Sequence, residues 1–134
     1  MIKFVVSLFV LLILAACAGG NSASIEGTWR LVSYGSATEQ TPAAADIDTS
    51  IEFKDGQVGG NVGCNGFGGK YEVEGDAFIF SEVVSTLMFC EGPAGDQELA
   101  TLAVLRETAT YVLDGDTLTI ISADGNTAVG LARK

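Results

Sequence analysis

Ile51-Glu52-Phe53-Lys54-Asp55-Gly56-Gln57-Val58-Gly59-Gly60 is the stretch whose reading decides the fold. Ile51-Glu52-Phe53 alternates apolar and polar, the period of a strand with one face buried. Asp55-Gly56 is a two-residue turn signal, because glycine accepts the positive φ of a type I′ turn. Residues 57–63 then return as a glycine-rich strand. The same grammar recurs downstream. Tyr71-Glu72-Val73 and Phe78-Ile79-Phe80 flank Glu74-Gly75-Asp76, and Tyr111-Val112-Leu113 and Leu118-Thr119-Ile120 flank Asp114-Gly115-Asp116. Asp124-Gly125-Asn126 leads into a last strand near residues 128–132. Upstream, Trp29 and Leu31 alternate with Arg30 and Val32 in a first strand, with the Trp29 indole as a core anchor closing one end. Short strands joined by tight acidic-glycine turns predict a mainly β fold: a small antiparallel sheet or partly closed barrel of roughly 7–8 strands with one packed α-helix.

Two segments break this rhythm. Residues 35–50 lack strand periodicity, and Thr41-Pro42-Ala43-Ala44-Ala45 reads as an exposed loop. After Gly92-Pro93-Ala94-Gly95, Asp96 can cap a helix running to about Thr108, with Glu98 in its first turn. Leu99, Leu102, Ala103 and Arg106 fall at helical spacing, widened by Val104 and Leu105, which predicts an apolar stripe against the sheet. Tyr71, Gly75 and Asp76 recur as Tyr111, Gly115 and Asp116. Shared turn chemistry explains that recurrence more simply than duplication.

The amino terminus carries a different signal. Met1-Ile2-Lys3 precedes an apolar run over residues 4–16 and then Cys17. The run is shorter than the roughly 20 residues of a spanning helix, so it reads as an export leader. Leu14-Ala15-Ala16-Cys17 resembles the lipobox of bacterial lipoproteins, which implies cleavage before Cys17 and lipidation of its sulfur. A plain secretory signal cut at Ala16-Cys17-Ala18 is the rival. Ala18, where retention at the inner membrane would favour Asp, points to the outer membrane facing the periplasm. The expected organisation is a removed leader at 1–16, a lipidated cysteine and small polar tether at 17–24, and one domain at 25–134.

Composition narrows the chemistry. The chain has 7 Lys and Arg against 17 Asp and Glu, a net charge of −10, which disfavours nucleic acid as a partner. There is no histidine, which removes the Ser–His–Asp and Cys–His arrangements and the commonest metal ligand. Of 3 cysteines, lipidation of Cys17 leaves Cys64 and Cys90 to form a disulfide in an oxidising compartment. Closing that loop contributes about 3.5 kcal/mol in the chain-entropy picture. A redox pair is the functional alternative, without C-x-x-C spacing behind it.

The glycines at 59, 60, 63, 66, 68 and 69 lack the Gly-Lys-Ser/Thr ending of a phosphate loop and read as turns and bulges. The Asp-Gly turns lack EF-hand spacing. Ser85-Thr86 has no accompanying base. No cofactor, metal or catalytic residue is expected. Asn65 suits left-handed geometry and bonding to its own backbone. Its functional reading is a ligand or partner surface edged by Asn65, Phe67, Thr86, Met88 and Phe89, since Met and Phe make adaptable apolar contacts.

Gly27-Thr28-Trp29-Arg30-Leu31, Gly63-Cys64-Asn65-Gly66-Phe67 and Ser85-Thr86-Leu87-Met88-Phe89-Cys90, followed by a helix and Asp-Gly-Asp strands, together resemble the META domain, also called HslJ-like. The resemblance covers about residues 25–131. Leu87 and Phe89 depart from it, standing where the family often has Arg and Ala. It implies a small antiparallel β domain with a packed helix, often an envelope lipoprotein linked to stress or drug tolerance, with no agreed biochemical activity. The expected function is a non-enzymatic, membrane-anchored envelope lipoprotein that binds a partner protein or a hydrophobic small molecule. A structural or pilot-like assembly role is the alternative, and a thiol-redox enzyme is the weakest reading.

Overall fold

The computed structural model describes residues 24–134; the leader and the lipidation call at Cys17 lie outside the described residues. Nine strands and one helix follow in the order β1 (Gly27–Ser36), β2 (Glu39–Pro42), β3 (Ser50–Lys54), β4 (Gln57–Asn61), β5 (Gly66–Glu74), β6 (Ala77–Ser85), α1 (Gly92–Val104), β7 (Thr108–Asp114), β8 (Thr117–Ile121) and β9 (Thr127–Arg133). Strands β1 and β3 to β9 pair antiparallel in order, and β9 returns to β1, so the barrel is closed rather than partly closed. The expected turn chemistry holds at Asp55 (φ 51°) and Gly56 (φ 76°), both left-handed as a type I′ turn requires.

Strand β2 corrects the loop expected at residues 35–50. It pairs only with β1, over Ser33 to Ser36, and its four residues are exposed. An edge strand with no buried side has no alternation to read. A bulge between Leu31 and Ser33 shifts the phase of β1. Trp29 and Leu31 face inward before it and Tyr34 after it, while Thr49 Oγ1 accepts the Leu31 N–H at 2.9 Å.

The interior is filled. Trp29, Ile51, Phe53, Phe78, Leu118, Ile120 and Leu131 are wholly buried. Phe78 stacks on Phe53 and Phe80 at 5.2 Å between centroids, and Tyr71 meets Phe53 edge-on at the same distance. Gly60 stands where β4 crosses β3 so closely that a Cβ would collide with the Ser50 carbonyl. Gly60→Ala is therefore expected to cost about 2 kcal/mol in urea unfolding; an unchanged midpoint would remove this close approach as a constraint.

The two ends of the barrel differ. One end gathers the turns at Asp55-Gly56, Gly75-Asp76 and Gly115-Asp116 with the start of β1 and the end of β9. There Trp29 Nε1 donates to Ile25 O at 2.8 Å, and the Arg133 guanidinium lies 4.2 Å over the indole while donating to the Ser24 and Glu26 carbonyls. The other end gathers loop 62–65, loop 86–91 and α1.

Helix α1 starts at Gly92 rather than Asp96, with Glu91 at the N-cap and Pro93 in the first turn, where its missing N–H costs nothing. It ends at Val104, short of Thr108. Its inward face is also not the expected one. Gln97, Glu98, Thr101, Val104 and Leu105 are buried, Leu102 is partly buried, and Leu99 is 73% exposed. The helix caps loops as well as apolar strands, so polar side chains facing inward supply the partners those loop backbones need. Gln97 accepts from Ala44 N at 3.0 Å and donates to Val62 O, joining two loops to the helix.

Candidate functional site

Asn65 organises the helix end of the barrel. It is 5% exposed. Its backbone N–H donates to Glu98 Oε1 at 2.6 Å, and its amide donates to Glu98 Oε2 at 2.9 Å and to Met88 O at 3.0 Å. Its Oδ1 accepts from Thr86 Oγ1 at 2.9 Å and from Met88 N at 2.8 Å. Thr86 N also donates to Gly66 O at 3.1 Å. Two residues past Met88, Cys90 is bonded to Cys64 with the Cα atoms 6.1 Å apart. The segment 86–90 is thus sewn down at Thr86, Met88 and Cys90, with Asn65 Oδ1 as the acceptor that Thr86 and Met88 share and with Glu98 of α1 holding Asn65 in place.

This clasp leaves the side chains between the stitches facing solvent. Leu87 is 94% exposed, Phe89 88% and Met88 62%. Leu99 rises beside them from α1. A cleft of about 310 Å³ separates Met88 and Phe89 from Leu99 and Leu102, with Asp96 on its rim.

The expected surface is therefore partly corrected. Thr86, Met88 and Phe89 are exposed, but Asn65 lies beneath them as the holder, and Phe67 is a core residue, 8% exposed, on the inner face of β5. Alternation along Gly66-Phe67-Gly68 turns Phe67 inward. Leu87 and Leu99 complete the apolar ridge. Leu99 escaped the sequence reading because helical periodicity assigned it to the core. Glu98, Gln97 and Thr101 escaped because a buried polar residue has no signature in a hydropathy pattern.

Other features are explained by structure. A wide, open groove of about 740 Å³ runs over the outer faces of β3 to β6. There Lys70 Nζ pairs with Glu82 at 2.6 Å, which holds the Glu82 carboxyl below and the Lys70 amine above their ordinary pKa values. The glycines at 59, 60, 66, 68 and 69 lie in β4 and β5, with no strand-to-helix phosphate cradle. Asp124 accepts from Ser122 Oγ at 2.6 Å and Asn126 N at 3.0 Å, bonds that hold its carboxyl low and close the last turn. The sulfurs of Cys64 and Cys90 and a Glu98 oxygen lie within 4.8 Å of one another, a grouping able to hold a metal. The fit to structural zinc is poor. Such sites use about four ligands, the two sulfurs are bonded to each other, and both Glu98 oxygens are committed to Asn65.

A family model for the META domain matches residues 23–134. The chain belongs to the META domain family. The Gly-Cys-Asn and Ser-Thr-x-Met-x-Cys motifs of this META domain meet in one clasp, the first supplying Asn65 and Cys64 and the second Thr86, Met88 and Cys90. No curated protein matches the chain. Among solved structures, it is similar to an NMR structure of a protein from Burkholderia xenovorans, at 18% identity and a TM-score of 0.64, covering 81% of this chain and 82% of that one. It is also similar to a DUF4847 family protein from Bacteroides vulgatus, at 17% identity and a TM-score of 0.57, covering 81% and 93%. At these identities the likeness is one of fold.

Proposed function

We propose that this META domain is a non-enzymatic lipoprotein of the bacterial cell envelope. Diacylglyceryl-modified Cys17 anchors it at the outer membrane facing the periplasm, and it docks a partner protein and so supports envelope integrity under stress. The observation that carries the reading is the ridge of Leu87, Met88, Phe89 and Leu99, exposed and held by the Asn65 clasp and the Cys64–Cys90 bridge. Large apolar side chains carried on a backbone that is already fastened leave less chain to order on contact, which suits interface anchors. A protein suits this surface better than a small hydrophobic molecule. The barrel interior is packed with aromatic and aliphatic side chains, and the cleft beside Phe89 is open to solvent.

The test is made in cells. The wild-type chain should sediment with membranes and Cys17→Ala should move to the soluble fraction. A photocrosslinking residue replacing Phe89 should give a discrete adduct with another envelope protein, while the same residue replacing Glu74 gives none. A Cys17→Ala chain that still sediments overturns the anchor, and identical adducts from positions 89 and 74 overturn the docking surface.

A further inference from the structure

We infer that the ridge receives a cationic amphipathic segment of another protein, one whose apolar face is flanked by Lys or Arg. This rests on the docking reading above and adds the chemistry of the partner. Between Lys70 and Arg106 the chain contains no basic residue, and this interval includes the whole ridge. Glu91 follows the clasped loop, and Asp96 rims the cleft between Phe89 and Leu99. Both are exposed, and among the described residues neither enters a salt bridge. Arg106, the next cation along the chain, lines a different cleft with Ser122 and Asp124. An apolar ridge with an acidic rim that lacks ion-pair partners is complementary to an apolar segment with basic flanks.

The same observations disfavour the other occupants. A second copy would bring a second acidic rim, from a chain already at −10. An anionic lipid surface meets the same repulsion. Ser24, whose carbonyl Arg133 holds, lies at the opposite end of the barrel, while the ridge sits among the loops at the helix end. The ridge thus points away from the place where an amino-terminal anchor would attach. A basic amphipathic helix laid along a groove is a known mode of recognition, read through apolar anchors at helical spacing.

The experiment uses the purified full chain in nanodiscs of zwitterionic lipid, with empty nanodiscs as the blank. The probe is a fluorescent amphipathic Leu/Lys peptide of about 15 residues, long enough to hold a helix, and a Leu/Glu peptide of the same pattern. The Leu/Lys peptide should bind above the blank and the Leu/Glu peptide should not. Phe89→Ser should weaken binding by about tenfold or more. Glu91→Lys with Asp96→Lys should weaken it by about tenfold, while Glu72→Lys with Glu74→Lys, an equal charge change far from the ridge, should alter it by about twofold at most.

Equal loss from both charge pairs would mean attraction to net charge alone and overturns the inference. Binding no greater than on empty nanodiscs assigns the peptide to lipid and overturns it too. If both peptides bind and Phe89→Ser removes both, the docking surface stands and its charge preference fails. If Phe89→Ser changes neither, docking and preference fall together.

Discussion

Replacing Cys64 and Cys90 together by Ser is expected to lower stability by about 3.5 kcal/mol, through the freedom regained by the unfolded chain over a separation of 26 residues. For a domain of this size the melting temperature should fall by on the order of 15 °C. Reductant should bring the wild-type chain to the same curve, and thermal circular dichroism checks both. Superimposable melting curves for wild type and the double variant would mean that the bridge does not form. With Cys17 assigned to lipid, the sequence leaves Cys64 and Cys90 as a pair by elimination. In the fold the bridge ties the loop between β4 and β5 to the loop that follows β6, at one end of the barrel.

Asn65→Ala is expected to cost about 3 kcal/mol, more than a hydrogen-bond deletion at the surface. The variant keeps its backbone N–H to Glu98 but loses the side-chain bonds to Glu98 Oε2, Met88 and Thr86. A carboxyl oxygen that is buried and stripped of its partner carries the desolvation penalty unrelieved, about 1–3 kcal/mol or more for a charged group. Urea unfolding measures the loss, and hydrogen exchange at Met88 N–H localises it. A loss under about 1 kcal/mol would show that water replaces Asn65 in the clasp. The two variants act on one loop, so their combined effect should fall short of the sum.

The hairpins were legible because their determinants are local. Asp55-Gly56, Gly75 and Gly115 declare their turns through the φ values they accept, and alternation around them sets which side faces inward. The bulge in β1 and the strand β2 were not legible, because each is imposed by a neighbour rather than by its own residues. The same holds for α1. Leu99 matched an apolar stripe, yet the helix turns Gln97, Glu98 and Thr101 inward to bond the loops it covers. The candidate surface was half legible. Met88 and Phe89 advertised it by type, while Asn65 and Phe67 were drawn into it by adjacency along the chain. Asn65 proved to be the support, and Phe67 part of the core.

The pairing of β9 with β1 has a consequence for how the molecule comes into being. The first and last strands zip together over Trp29 to Ser36, and Lys134 N donates to Thr28 O at 2.9 Å. No partial chain that emerges amino end first, from a ribosome or through a membrane pore, can seal the cylinder. Closure waits for β9, which makes folding a late and long-range event. A nonsense mutation that removes only β9 would leave both β1 and β8 with open edges, a species ready to pair with other chains rather than a slightly shortened protein.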